Sequence, residues 1–174
     1  MRGALLVILL ILSGPAAADT CVVDQGGQYG SITMCVSSVL PPERANTYGP
    51  EHLIGRAENE NKAWCEGVPG PGIGESITEK LDGLYSARRL SIINGYAKSD
   101  QTFHGNNRIR TAILQTSRGY RATVTLKDTR EPQAVEFPKA KISWLKLTIA
   151  SVYSGAHNDT CVSQFAIGLD DEEP

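Results

Sequence analysis

The sequence contains no apolar run of about 20 residues, the length that a membrane-spanning helix needs. Its longest apolar stretch covers residues 5–12, after Arg2 and before three alanines at 16–18. A basic start, a short apolar segment and small residues form the pattern of a secretory signal. We therefore expect a signal peptide at residues 1–18 and a soluble, secreted or periplasmic mature chain without membrane insertion.

Basic residues are not in excess. The chain has 17 Lys and Arg against 19 Asp and Glu, a formal net charge of −2. Because nucleic-acid binders usually carry a basic patch, we expect no nucleic-acid partner. Part of the acidity lies in Asp170, Asp171, Glu172 and Glu173. This run predicts a solvated acidic tail at residues 169–174.

Motifs for nucleophilic catalysis are also missing, since there is no Gly-x-Ser-x-Gly elbow and no active-site cysteine signature. The glycine-rich segment 67–74 lacks the Gly-Lys-Ser/Thr ending of a phosphate-binding loop, and we interpret it as a tight surface loop with positive φ angles. A glycosidase needs only two carboxylates, but Glu75 and Glu79 would share one strand face, and a solvated face is the favoured interpretation. We expect no enzyme and no cofactor.

The four cysteines allow three disulfide pairings. Cys21 and Cys35 flank a run of turn-forming residues between two short apolar stretches, which favours a disulfide-linked hairpin. That pairing leaves Cys65 with Cys161. No CxxC pair is present and the three histidines are scattered, so we expect no zinc site.

Short alternating segments bounded by turn residues predict an all-β protein, an antiparallel sandwich or barrel. We expect strands at residues 89–93, 108–114, 120–126, 133–137, 142–149 and 161–167. Turns are predicted at 81–83, 117–119, 127–129 and 154–155, and one helical turn at 50–54, where Pro50 begins it and Gly55 ends it. Turns this closely spaced disfavour the helical crossovers of a parallel α/β fold.

Several polar and aromatic residues could bind a sugar. Trp64 follows a polar segment and could stack on a sugar ring, but the core is the favoured location. Trp144 lies in an apolar strand and is also expected in or near the core. Tyr96, His104, Asn106, Asn107 and Arg108 are expected in loops or at strand starts, where they could bond sugar hydroxyls or form ordinary surface.

These segments resemble a known family, the discoidin-like, galactose-binding-type domain that serves as the glycan-binding and translocation domain of secreted bacterial NAD glycohydrolases. The resemblance covers about residues 38–168. It is carried by Tyr48-Gly49-Pro50-Glu51-His52-Leu53, Ala63-Trp64-Cys65-Glu66-Gly67, Ile93-Asn94-Gly95-Tyr96-Ala97-Lys98, Asn107-Arg108-Ile109-Arg110, Thr125-Leu126-Lys127-Asp128, Ile149-Ala150-Ser151-Val152-Tyr153-Ser154-Gly155 and Asp159-Thr160-Cys161-Val162-Ser163-Gln164.

The resemblance implies a β-sandwich jelly roll whose loops at one end hold the ligand, with Cys161 near Cys65. It accounts for nearly the whole mature chain, so NAD cleavage is not expected. Related domains often hold a structural calcium through an acidic loop and a glutamate on the last strand. Here the loop is residues 57–62 and the strand position is Gln164, so no metal is expected; any calcium would lie near Asn59 and Glu60.

The sequence thus predicts four parts: the signal peptide 1–18, a disulfide hairpin extension 19–37, a discoidin-like domain 38–168 and the acidic tail 169–174. The expected function is non-catalytic binding of glycan through loops 59–66, 94–96 and 104–108. The alternatives are a protein-interaction or structural module of the cell envelope and an enzyme of unrecognised type. The candidate ligand-binding residues are Asn59, Glu60, Glu66, Asn94, Tyr96, His104, Asn106, Asn107 and Arg108.

Overall fold

Alternating apolar and polar residues form eight β-strands in the described part of the chain, which comprises residues 18–27, 30–55 and 61–170 of a computed structural model. Two short helices, a 3-10 helix at Pro50–Leu53 and α1 at Asp100–Gly105, complete the described elements. The strands are β1 Thr20–Gly27, β2 Gly30–Val36, β3 Trp64–Cys65, β4 Ser76–Asn94, β5 Arg108–Thr116, β6 Arg121–Thr125, β7 Gln133–Tyr153 and β8 Cys161–Leu169.

Strands β4 and β7 are 19 and 21 residues long, and each contributes to both layers of the fold. The first part of β4 pairs with β2 and with the C-terminal half of β7, while its second part pairs with the N-terminal half of β7 and with β8. The register between β4 and β7 shifts between Lys80 and Tyr85, where the strands change layer. All pairings between named strands are antiparallel, which confirms the predicted antiparallel β-sandwich jelly roll.

The turn predicted at residues 81–83 is wrong, because these residues lie inside β4. Asp82 accepts hydrogen bonds from the Ser31 backbone N–H and the Tyr85 hydroxyl, both at 2.9 Å. The residues that suggested a turn therefore produce an irregularity within a continuing strand. Similarly, the two strands predicted at 133–137 and 142–149 are one strand, β7.

The core lies between the layers and includes Trp64, Leu90, Ile142, Leu145 and Phe165, all almost fully buried. The indole N–H of Trp64 donates to the Ser38 carbonyl at 2.9 Å, which satisfies its only polar atom. The prediction that Trp64 belongs to the core is confirmed. Trp144 is half-buried.

Both predicted disulfides are present. Cys21 and Cys35 are direct cross-strand partners on β1 and β2, and Cys65 and Cys161 are partners on β3 and β8. The first joins the two strands of the hairpin beside β4, and the second joins β3 to the last strand, β8.

No helix among the described residues is long and apolar enough to cross a membrane. The predicted helical turn at Pro50 is confirmed as the 3-10 helix. Three sequence predictions fall outside the described residues: the signal segment up to residue 17, the candidate ligands Asn59 and Glu60, and the tail from Asp171 onward.

Candidate functional site

Loops from neighbouring strand ends meet at one end of the sandwich. Strand β4 ends and β5 begins beside the end of β7, since Arg108 pairs with Tyr153, and Asn94 pairs with Val162 at the start of β8. The segments 95–107, 126–132 and 154–160 therefore emerge together. We call these three segments the loop end.

Arg108 holds the three segments of the loop end together. Its side chain is buried, and its guanidinium donates to both carboxylate oxygens of Asp128, at 2.9 and 2.8 Å. It also donates to the carbonyls of Asn106 and Ser154, at 3.1 and 3.2 Å, and lies over the Phe103 ring, 5.1 Å from its centre. The structure thus places Arg108 beneath the loop surface, with its donors engaged by protein groups.

Two asparagines proposed as ligand contacts are buried and bond the backbone. The Asn94 side-chain amide makes two hydrogen bonds with the Ile109 backbone: it donates to the carbonyl at 2.7 Å and accepts from the N–H at 2.9 Å. The Asn107 amide donates to the Asn158 carbonyl at 2.5 Å and accepts from the Gly155 N–H at 2.8 Å. Both side chains fix loop conformation.

Glu66 is fully buried and ties two further segments together. Its carboxylate accepts from the backbone N–H of Thr160 at 3.1 Å and of Val68 at 2.9 Å. Burial raises the pKa of Glu66, while these hydrogen bonds oppose the rise. Gly72 has a φ angle of +64°, and a Cβ atom there would lie 2.5 Å from Cγ of Glu66. The predicted glycine-rich loop with positive φ angles is therefore confirmed, and it covers the Glu66 carboxylate.

His104, His157 and Asp128 present polar groups to solvent at the loop end, and we call them the histidine patch. Both histidines are exposed, and the Asp128 side chain is about one third exposed. The hydrogen bonds from Arg108 hold the pKa of Asp128 below its usual range, and the charges of Arg108 and His104 act in the same direction. The patch therefore offers a fixed carboxylate within electrostatic reach of His104, while the His157 backbone N–H donates to the Gly105 carbonyl, next to His104 in the chain.

Asn106 and Tyr96 complete the predicted set. The half-buried Asn106 side chain donates to the Thr102 carbonyl at 2.8 Å, at the C-terminal end of α1. The Tyr96 hydroxyl donates to the Asn61 carbonyl at 3.3 Å, and its ring packs edge-on against Tyr48, with centres 6.5 Å apart. Burial, followed by the proximity of Tyr48, raises the pKa of Tyr96.

Three residues of this region were not predicted as site residues. Asp128 stood in a predicted turn and in one of the resembling segments, but nothing in the sequence linked it to Arg108. Phe103 and His157 carried no distinguishing pattern. These residues meet through the packing of loops that are distant in sequence.

Glu79 departs from its predicted location on a solvated strand face. It is only 3% exposed, and one carboxylate oxygen accepts from the Ile167 N–H at 2.7 Å. Burial raises the pKa of Glu79 to about 7. Glu75 is half-buried and accepts from the Ser37 hydroxyl at 2.6 Å, so the two carboxylates have separate structural contacts.

Of the positions at which the family resemblance would place a calcium site, only Asn61, Lys62 and Gln164 are described. Gln164 stands where the resemblance implies a glutamate, and its Oε1 atom is buried without a hydrogen-bond partner among the described residues. Lys62 is exposed on the loop side. Across residues 18–27, 30–55 and 61–170, no group of three or more His, Cys, Asp or Glu side chains could hold a metal ion.

Comparison with known proteins gives a family match and several structural similarities. The sequence model of the family described as "NAD glycohydrolase translocation F5/8 type C domain" matches residues 26–168. No curated protein matches the chain.

Among solved structures, CpGH89CBM32-5 from Clostridium perfringens, in complex with GalNAc-β-1,3-galactose, has 17% identity and a TM-score of 0.58, covering 78% of this chain and 94% of that chain. The family 32 CBM of C. perfringens NanJ, in complex with galactose, has 15% identity and a TM-score of 0.55, covering 78% and 92%. Arabinofuranosyltransferase AftD from Mycobacteria has 15% identity and a TM-score of 0.62; 91% of this chain aligns with only 12% of that much longer one. At such identities these similarities establish the fold alone.

Proposed function

Because this chain belongs to the family described as the NAD glycohydrolase translocation F5/8 type C domain, we propose that it is a non-catalytic module that binds carbohydrate at the loop end. Proteins of the same fold include domains solved with galactose and with GalNAc-β-1,3-galactose. The observation that carries the proposal is the histidine patch, an exposed set of polar side chains on loops that buried side chains hold in place.

The chemistry of the patch suits sugar hydroxyls, each of which both donates and accepts a hydrogen bond. Imidazole nitrogens can donate or accept, and the Asp128 carboxylate accepts. Since Arg108 binds Asp128 through two hydrogen bonds, the carboxylate is already oriented before a ligand arrives. Such pre-organisation reduces the entropy lost on binding.

A glycan array followed by calorimetry on the best ligand tests this function. His104→Ala removes an exposed side chain, so affinity should fall roughly 5- to 150-fold, the effect of about 1 to 3 kcal/mol from an unpaired polar group. Thr123→Ala, on the exposed face of β6, is the matched control and should keep both affinity and melting temperature. Tyr96→Ala should also weaken binding, since it removes a half-buried ring from the loop end.

Arg108→Ala serves a different purpose, because it leaves Asp128 without its partner and separates the three segments of the loop end. We expect a lower melting temperature as well as lost binding. If the array shows no glycan and the protein instead binds an envelope protein, the carbohydrate proposal fails and the interaction-module alternative replaces it. If His104→Ala binds as well as the parent, the histidine patch is not the site.

We further propose that the chain is exported, with residues 1–18 removed, residues 19–37 forming a hairpin extension, residues 38–168 the binding domain and residues 169–174 a tail. Two disulfides support this, because disulfides persist mainly in oxidising compartments. N-terminal sequencing of exported protein should begin at Asp19, and a cytosolic, unprocessed chain would contradict it.

A further inference from the structure

A cavity of about 220 Å³ lies between the β1–β2 hairpin, the 3-10 helix and the outer edge of β8, formed by residues outside the three segments of the loop end. Its walls are largely apolar and include Ile32, Met34, Leu53 and Phe165. This volume accommodates several non-hydrogen atoms, since a water molecule takes about 30 Å³ of the liquid.

The described polar side chains that line this cavity include three oxygen acceptors, on Glu79, Gln164 and Asp24. Glu79 forms no ion pair with a described residue. One of its carboxylate oxygens accepts a hydrogen bond from the Ile167 backbone N–H, and the other makes no hydrogen bond with a described residue. The buried Oε1 of Gln164 also lacks a partner among the described residues. Asp24 adds a second carboxylate to the lining, and none of the described residues that line the cavity is Lys, Arg or His.

This combination selects a class of ligand. A purely apolar ligand would leave buried acceptors unsatisfied. A bare metal ion would leave most of the volume unfilled, and the described carboxylates do not form a metal-binding group. An ammonium group supplies positive charge and three N–H donors, while an aliphatic stem fits the apolar walls.

We propose that this cavity binds a small aliphatic primary ammonium ion, with Glu79 as the counter-ion and Gln164 as a second acceptor. The site is separate from the histidine patch and does not depend on glycan binding. Burial raises the pKa of Glu79, and no described residue forms an ion pair with it. Among the described residues that line the cavity, Asp24 is the other ionisable one, and those from β2, the 3-10 helix and β8 are not ionisable.

Titration with n-butylammonium chloride at constant ionic strength, followed by amide NMR, tests the proposal. The Ile167 backbone amide and the Gln164 side-chain amide should shift with saturation at a dissociation constant on the order of 1 mM, as expected for so small a ligand. Binding should be tighter at pH 8 than at pH 5.5, because Glu79 ionises while the amine stays charged. Neutral n-butanol should bind far more weakly.

Variants distinguish the contribution of the Glu79 charge from the contribution of the cavity's shape. Glu79→Gln keeps the shape but removes the charge, so n-butylammonium should bind about 30-fold or more weakly, the effect of losing one partner of a buried charge pair. Glu75→Gln, on the same segment but outside the cavity, is the matched control and should bind as the parent does. Gln164→Leu removes the second acceptor and should also weaken binding, which keeps the test valid if Glu79→Gln fails to fold.

Three results would overturn the proposal. These are equal binding of n-butanol, unchanged n-butylammonium binding in Glu79→Gln, and calcium chloride shifting the same amides where n-butylammonium does not. None of them bears on the glycan array, so failure of this site and failure of the proposed function remain distinguishable.

Discussion

Polar side chains at the loop end differ in the direction they face, and that direction decides their role. Asn94, Asn107 and Arg108 turn inward and bond the backbone or Asp128, whereas His104 faces solvent. Residue type alone could not separate these groups, because an asparagine that caps a loop and one that binds a ligand look alike in sequence. The candidate region could be predicted, but not which residues face outward.

Glu79 gives a stability prediction at the residue scale. Its pKa is about 7 in the folded protein against an ordinary value of 4.5 in the unfolded chain, so the folded state binds more protons between these pH values. Stability should therefore fall as the pH rises from 4.5 to 7, by on the order of 3 kcal/mol from this group.

Glu79→Gln should remove that decline. Denaturant unfolding from pH 4.5 to 8 should show the variant gaining stability relative to the parent as the pH rises, with Glu75→Gln following the parent throughout. A constant difference between parent and Glu79→Gln across this range would show that Glu79 does not titrate there.

At the scale of elements, the local sequence pattern identified the strands, but it did not show that β4 and β7 each run on as one long strand. The alternating residues at 108–114 and 161–167 correspond to the starts of β5 and β8. Asp82, Gly83 and Pro138 interrupt the pattern of β4 and β7, yet the chain continues through them because tertiary pairing on both sides overrides local preference. Helix α1 escaped prediction because it has six residues and is marked only by the capping pair Ser99 and Thr102.

The two disulfides should contribute differently to stability. Replacing Cys21 and Cys35 by serine opens a link of 14 residues and should cost about 3 kcal/mol, with hydrogen exchange rising mainly in β1. Replacing Cys65 and Cys161 opens a link of 96 residues and should cost above about 4 kcal/mol, with faster exchange near Glu66 and Thr160. Urea unfolding with exchange measurements checks both; a greater loss for the β1–β2 pair would contradict this ranking.

At the scale of the whole molecule, the family and the sandwich could be inferred from sequence because ordered segments over some 130 residues carry the resemblance, and the match to residues 26–168 confirms it. Cavities could not be inferred, since they depend on how separate layers pack. The space beside Glu79 is bounded by β1, β2, β8 and the 3-10 helix, which no local pattern relates to one another.

Calcium should not contribute to the stability of the whole domain, because Gln164 stands where the family resemblance implies a carboxylate ligand. Thermal melts with chelator and with millimolar calcium should coincide. A ligand present at a hundred times its dissociation constant adds about 2.7 kcal/mol, enough to raise the melting temperature by several degrees. Such a rise would show that calcium binds the folded protein and would direct attention to Asn59 and Glu60.

The Cys65–Cys161 bond also sets how the molecule responds to force. Tension applied at the C-terminal end would act first on β8, peeling Leu169 and the residues before it away from β4. Peeling can proceed only as far as Cys161, where the load passes through the sulfur atoms to β3. The nine residues of β8 extend to about 30 Å at most. Peeling of β8 can therefore release a segment no longer than about 30 Å before the Cys65–Cys161 disulfide bears the tension.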